Sequence, residues 1–269
     1  MTGSSPRPCG WRGGRRLASI PAAPFQTLGN HFAIDLPGAR AVFTTRRGGH
    51  SAGPYASLNL GFATDDDPAA MERNRAGLPA AIGSPAPSFV YQVHGSEVRR
   101  ITDAENRPHP PDRFSRPRMD GQATNLPDVA LVALVADCLP VAVAGGGAVA
   151  MLHAGWRGLH GGVIAAGVRA VRELGGAAGE LAAAIGPGAG PCCYEVGQEV
   201  HDAFADYSDI RRGDNLDLKE IARRQLAAAG VGAVHDIELC TLCAPPELLY
   251  SHRRDRGVTG RQAGVAWLT

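Results

Sequence analysis

"DVALVALVADCLPVAVAGGGAVAMLHAGWRG", residues 128–158, decides the fold. Its first part is the longest apolar run in the chain, and unbroken rather than alternating hydrophobicity marks a strand buried on both faces. "PVAVAGGGAVAMLHAG" (140–155) then reads as two strands around a Gly-Gly-Gly turn, the signature of a hairpin. A hairpin beside a doubly buried strand excludes a purely parallel, doubly wound sheet. "GLHGGVIAAGVRAVREL" (158–174) follows with helical periodicity.

Outward from that centre, "ARAVFTT" (39–45), "SFVYQVH" (88–94), "EVRRIT" (97–102), "LAAAIGP" (181–187), "HDIELC" (235–240) and "QAGVAWL" (262–268) read as strands. "PAAMERNRAGLPAAI" (68–82) reads as a helix with proline in its first turn. Further helices are expected over about 196–206 and 216–229. "RRGGHSAGPYASLNLG" (46–61) and the proline-rich "NRPHPPDRFSRPR" (106–118) read as loops. No internal repeat is present. Mixed strands and helices around a hairpin predict an α/β sandwich with mixed sheets.

The chain has 269 residues, is 44% hydrophobic and carries a formal charge of +1. Those values describe a globular chain, and a near-neutral balance gives no electrostatic case for nucleic acid or membranes. No apolar run approaches the roughly 18–20 residues of a membrane helix. Residues 1–30 hold four arginines and no acid, and are expected to form a disordered extension ahead of a domain over 31–269. Lys219 is the only lysine, so arginine at any one position is weak evidence for bidentate chemistry. With no secretory signal, the six cysteines point to a reducing, cytoplasmic setting, where cysteine more often binds metal or reacts than pairs.

His94, Cys138 and His153 each stand where an apolar run stops. One thiolate and two imidazoles suit zinc, and three protein ligands leave the fourth tetrahedral position open, the catalytic pattern. Water bound there has its pKa lowered toward neutrality. Packed, hydrogen-bonded side chains are the competing reading. Asp137 is a candidate to orient a ligand or to cap a turn.

Seven stretches stand together in one order: "FTTRRGGHSAGPYASLNLG" (43–61), "RNR" (73–75), "YQVHG" (91–95), "ADCLP" (136–140), "HAGWRG" (153–158), "IGPGAGPCCYEVG" (185–197) and "SHRRDRGVTGRQAGVAWL" (251–268). Over about residues 30–269 the chain closely resembles the bacterial laccase-domain family. That family has been called multicopper polyphenol oxidoreductase and peptidoglycan editing factor, and is treated as zinc-dependent purine nucleoside phosphorylase with adenosine deaminase activity. The resemblance implies a single-domain α/β/β/α sandwich and His94, Cys138 and His153 as zinc ligands. It implies that Arg47 binds phosphate or the sugar side of a nucleoside; the glycine loop alone reads rather as a solvated turn. His50 and His160 depart from the family pattern.

Supporting roles stay open in the residues themselves. Ser57 and Asn59 bind ribose or base, or form a turn. Arg157 neutralises an anion near the metal, or makes a salt bridge under Trp156. Tyr194 is a substrate contact. Glu195 is a proton shuttle, or starts a helix. Vicinal Cys192 and Cys193 read as buried small residues unable to chelate one ion together, and Cys240 and Cys243 as structural cysteines, since one CxxC is a weak zinc signal. The expected partners are purine nucleosides and phosphate, and the expected state is a monomer. Three other chemistries compete. Copper oxidation would use Met151 as axial ligand, although nine histidines without a His-x-His pair are too few for a multicopper oxidase. A metal-free hydrolase would use Cys138 as nucleophile and His153 as base in peptidoglycan editing. A zinc-stabilised binding module would need a fourth ligand.

Overall fold

The computed structural model describes residues 22–103, 116–175 and 180–269. Twelve of its strands form two six-stranded sheets. The first has the order β1 (Gln26–Leu28), β2 (His31–Leu36), β3 (Ala39–Phe43), β14 (Gln262–Leu268), β7 (Val129–Val135), β4 (Ala86–Ser88). The second runs β13 (Ala233–Asp236), β10 (Ala182–Ile185), β8 (Leu139–Gly145), β9 (Ala148–Ala154), β6 (Gly121–Thr124), β5 (Val98–Ile101). Both are mixed: β4 lies parallel to β7 while β14 lies antiparallel to it, and β13 lies parallel to β10 while β8 lies antiparallel. A small ribbon pairs β11 (Arg211–Arg212) with β12 (Asn215–Leu216).

Three apolar clusters define four layers. Ile34, Phe43, Leu131, Val149 and Met151 fill the space between the sheets. Val42, Leu60, Val132 and Val265 pack the outer face of the first sheet against Leu78 and Ile82 of α1 (Pro68–Ile82). Leu152, Val141 and Ile185 pack the second sheet against α3 (Val163–Gly175) and α5 (Leu218–Ala228). Alternation along β9 sends Met151 to one cluster and Leu152 to the other, as a period of two requires. The result is the expected α/β/β/α sandwich. Each fully buried Leu, Ile or Val contributes about 1.5–3 kcal/mol.

Local signals explain the element ends. Asp67 caps α1 by accepting from the N–H groups of Ala69 and Ala70, Pro68 opens it, and Gly83 closes it at φ 67°. The β8–β9 hairpin turns at Gly146 and Gly147, with φ of 61° and 83°; two successive positive values are what a type I′ turn demands. The single helix expected after "HAG" is two: α2 (Trp156–His160) ends at Gly161 and α3 starts after Gly162, whose φ is 85°. α4 (Gln198–Ala203) and α5 match the two later helices.

Three expectations need correction. "SFVYQVH" is not a strand; only Ser88 ends β4, and Tyr91 makes an isolated bridge to Arg118. Gln92 explains the difference, since its side-chain amide, rather than a ladder, pairs with the N–H and C=O of Leu134. Ordered structure also begins ahead of residue 31, because β1 pairs with β2. The rest of the expected N-terminal extension, and most of the proline-rich loop, lie outside the described residues. Strand "HDIELC" is shifted, and β13 ends at Asp236.

Candidate metal centre

Of the chain's crossings from one sheet to the other, three flank the site: between β4 and β5, between β7 and β8, and between β13 and β14. The first crossing carries His94. The second is the turn Ala136–Asp137–Cys138. His153 is the penultimate residue of β9, register partner of Pro140. Sheet register and two crossings therefore bring the three expected ligands together: one donor atom from each of His94, Cys138 and His153 falls within 4.8 Å of the others. The two imidazoles meet edge to face with centroids 4.9 Å apart. Gly155 is required here, because a Cβ on it would stand 2.8 Å from the Cys138 sulfur.

The backbone is held in unfavourable regions at two of these points. His94 has φ 61° and Asp137 has φ 91°, values that cost a non-glycine residue about 1–3 kcal/mol and persist only under strong local restraint. The restraint on His94 is Asp120, buried just before β6. Its carboxylate accepts from the backbone N–H groups of Val93 (3.1 Å), His94 (2.8 Å) and Gly95 (2.6 Å), and from Nδ1 of His153 (2.8 Å). One carboxylate thus fixes the loop of one ligand and the ring of another. With Nδ1–H given to Asp120, Nε2 of His153 is the free donor, the arrangement in which a metal-binding histidine is oriented from behind.

Electrostatics agree with that geometry. Burial raises the Cys138 thiol, but the charge and hydrogen bond of His153, helped by His94, outweigh it and bring the thiol down to about 6. Burial disfavours charge on His153, yet Cys138 and Asp120 raise it to about 9. Asp120 is likewise penalised by burial, and its bonds to His153 and to the loop N–H groups carry it below the ordinary carboxylate range. A preformed thiolate beside two imidazoles is a donor set that fits zinc or another thiophilic divalent metal.

The cluster opens into a cavity of about 380 Å³. Aromatic walls come from Phe62, Tyr91, Trp156 and Tyr194, and cationic groups from Arg157, Arg253 and Arg261. Tyr194 and Arg157 are thus where the sequence expectation put them. Among the described residues Arg157 makes no salt bridge under Trp156; it stacks on the indole at 4.3 Å. Burial pushes the Tyr194 hydroxyl up to about 12, so it stays protonated at neutral pH.

Other expected contacts stand elsewhere. Arg47 does not line the cavity, and its Nε donates to the Glu247 carbonyl at 3.2 Å. Ser57 is used inside its own loop, donating to the Arg46 carbonyl and accepting from Gly49 N–H. Asn59 is fully buried; it donates to Thr64 and Asp66 and accepts from the N–H groups of Gly61 and Arg261. Asn74 of "RNR" ties the same loop, accepting from His50 N–H and donating to Ser51, Ser57 and Asn59. These side chains build the wall that carries Arg261 rather than reach into the cavity. Glu195 is exposed, does not line the cavity and offers its backbone carbonyl to Arg253. Asp137 orients no ligand; it accepts from Thr241 Oγ1 (2.6 Å) and Arg253 N–H (2.8 Å). Met151 is packed between the sheets against Gly264, which removes the expected axial sulfur of a copper centre. His160 sits away from the site, bonded to the Ala203 carbonyl.

Sequence reasoning missed Asp120, Arg253 and Arg261. A lone acid directly before a short buried strand was the available signal for Asp120. The two arginines were indistinguishable in a chain rich in arginine.

A family model described as multi-copper polyphenol oxidoreductase laccase matches residues 40–269. The chain belongs to this family. Among its laccase-family relatives, a purine nucleoside phosphorylase of Xylella fastidiosa is 39% identical over 250 residues, covering 86% of this chain and 93% of the relative. Purine nucleoside phosphorylase YlmD of Geobacillus stearothermophilus is 38% identical over 244 residues, 83% of this chain and 88% of that protein. The crystal structure of Bacillus licheniformis hypothetical protein YfiH superposes with a TM-score of 0.82 at 30% identity, covering 92% of this chain and all of that one (100%). The laccase-family sandwich is therefore shared along nearly the whole chain, whereas these two relatives are named for phosphorolysis rather than phenol oxidation.

Proposed function

We propose that this chain is a zinc-dependent purine nucleoside phosphorylase that also deaminates adenosine, acting as a cytoplasmic monomer on small molecules. The observation that carries the reading is one cavity of about 380 Å³ joining the three-donor cluster to aromatic walls and three arginines. That volume lies in the range of small-molecule sites, about 300–1,000 Å³. The names of the curated relatives support the same chemistry.

His94, Cys138 and His153 would hold the metal, which supplies a Lewis acid at the reacting end of the substrate. Asp120 keeps His153 in the tautomer that presents Nε2. Tyr91 and Trp156 offer flat faces to a purine ring, while Phe62 already carries the guanidinium groups of Arg75 and Arg116 over its ring. Tyr194, protonated at neutral pH, is a hydrogen-bond donor toward base or ribose. Arg157, Arg253 and Arg261 hold phosphate through charge-assisted bonds. Phosphorolysis then forms a bond from phosphate oxygen to the anomeric carbon. The glycosidic C–N bond breaks, and its electron pair leaves with the base, which takes up a proton. The cavity lining supports an anion site at these three arginines in place of Arg47.

The test is turnover of inosine, guanosine, adenosine and methylthioadenosine with and without inorganic phosphate. Phosphate-dependent release of free base, lost on chelation and restored by zinc, is the expected result. Absence of phosphate-dependent cleavage across all four would overturn the reading. The Cys138 thiolate beside a protonated His153 favours one second reading, a metal-free cysteine hydrolase. It requires activity that survives chelation and is blocked by alkylation of Cys138.

A further inference from the structure

The third crossing at the site, the segment from β13 to β14, carries "CTLC" (240–243), and "CCYEVG" (192–197) lies beside it. One ligand atom from each of Cys192, Cys193, Cys240 and Cys243 lies within 4.8 Å of the others. The Cys243 sulfur is 3.2 Å from that of Cys192 and 3.1 Å from that of Cys193. We propose that these four cysteines form a second, structural metal site for zinc or another thiophilic divalent ion, separate from the centre at Cys138.

Both halves of the cluster stand on hydrogen-bonded turns that aim sulfurs at one point. Cys193 and Tyr194 N–H groups both donate to the Gly190 carbonyl, and Ala244 N–H donates to the Cys240 carbonyl. The turns are locked together by the bridge between Gly188 and Cys240 and by Thr241 N–H donating to Gly188. Gly190 lets its backbone approach the sulfurs: its N–H donates to the Cys240 sulfur at 3.3 Å, and a Cβ on it would stand 3.3 Å from the Cys192 sulfur. N–H donation to a thiolate is what a cysteine-rich metal turn provides in its outer layer. Zinc held at about 2.3 Å by four thiolates needs sulfur–sulfur edges of about 3.8 Å. The Cys243 sulfur lies 3.2 and 3.1 Å from those of Cys192 and Cys193, and all four sulfurs fall within 4.8 Å of one another, so movements of under about 1 Å reach that geometry. Vicinal Cys192 and Cys193 reach one ion because the turn, not a strand, carries them. With four sulfurs the site is closed to substrate, the structural pattern.

Cys243 is disulfide-bonded in the structure, so the site assembles in reduced protein. A dithiol reductant passes two electrons to that bond, leaving two thiols and its own disulfide. Four cysteine thiols then bind M²⁺ and release four protons. The site would hold together the turn carrying Tyr194 and the loop whose Thr241 bonds Asp137. It is thus a staple on the cavity wall, not a participant in catalysis.

The test uses full-length Cys138→Ala protein, in which the first centre is removed, reduced with a dithiol and titrated with Co²⁺. One equivalent is expected to bind, with sulfur-to-cobalt charge transfer and tetrahedral d–d bands. Cys240→Ser or Cys243→Ser in that background should abolish both. Wild-type protein gives a check that needs no variant: four cysteine thiols should become slow to react with a disulfide reagent when zinc is added, beyond the protection of Cys138. Absence of the charge-transfer band in the reduced Cys138→Ala protein, or equal thiol reactivity of the four with and without zinc, would overturn the proposal.

Discussion

The two cysteine clusters make opposite use of the same fold. At the first, one sulfur and two imidazoles stand on a strand and two crossings, oriented by a buried carboxylate, and face a cavity. At the second, four sulfurs stand on two facing turns, with backbone N–H groups as their support. On the readings proposed above, the first would leave a position for substrate and the second would leave none. The difference teaches that function here follows from how many donors converge and what lies in front of them, rather than from cysteine itself.

The sharpest way to break the contrast is to remove a donor from each cluster. His153→Ala should lower phosphorolysis by roughly a thousandfold, since Lewis-acid stabilisation is worth several kcal/mol. Metal analysis should show the loss of one ion, and a variant with unchanged kcat/KM would refute the open centre. Cys240→Ser should act on stability instead. Losing a structural metal removes folding free energy of several kcal/mol, and each kcal/mol lowers Tm by roughly 2–4 °C in a chain of this size. Turnover per folded molecule should stay near wild type. Calorimetry of reduced, zinc-loaded protein against an activity assay separates the two outcomes.

A smaller effect tests the support of the first cluster. Asp120→Asn keeps the volume but removes the charge that His153 and three loop N–H groups share. Loss of such a partner typically weakens metal affinity or activity by about 10–100-fold. Competition with a chromogenic chelator measures it, and rescue of affinity by Asp120→Glu would argue for orientation rather than bulk.

The smallest expected effect is on pH. Asp120 is held below its unfolded value, which is about 3.9 for aspartate, by His153 and the loop N–H groups acting against burial. Its contribution to stability is therefore complete above that unfolded value and fades as pH falls through the lower native one. Urea midpoints of wild type and Asp120→Asn should converge as the pH is lowered from 5 toward 2. A gap that stays constant would mean that the carboxylate charge does not stabilise the native state.

How much of this was legible beforehand varied with the kind of signal. The doubly buried β7, the glycine hairpin, α1 between Pro68 and Gly83, and the sandwich class all follow from periodicity and turn chemistry, which act locally. The convergence of His94, Cys138 and His153 was legible because each member ends an apolar run next to a turn residue. Arg47, Ser57 and Asn59 were misplaced because a glycine loop looks the same whether it cradles a ligand or braces another loop; Asn74 and Arg261 decide that through contacts distant in sequence. "SFVYQVH" alternates like a strand, yet a single glutamine replaces its ladder. Cys192, Cys193, Cys240 and Cys243 were read as two unrelated pairs, since 47 positions separate Cys193 from Cys240 and only the sheet order makes them neighbours.

The β8–β9 hairpin carries a last consequence, for what this chain can tolerate over evolution. Its seven register pairs run from Leu139 with Ala154 to Gly145 with Ala148, and at about 3.3 Å per residue its turn lies roughly 20 Å from the metal ligands. Surface turns are ordinarily where chains accept insertions. A longer loop that keeps the register is tolerable, since three-residue hairpin turns are common, but a one-place slip turns every side chain of a strand to its opposite face. His153 would then point into the helix layer and Leu152 toward the sheet interior. A register slip begun at a remote, solvent-facing turn would abolish the centre as surely as deleting a ligand.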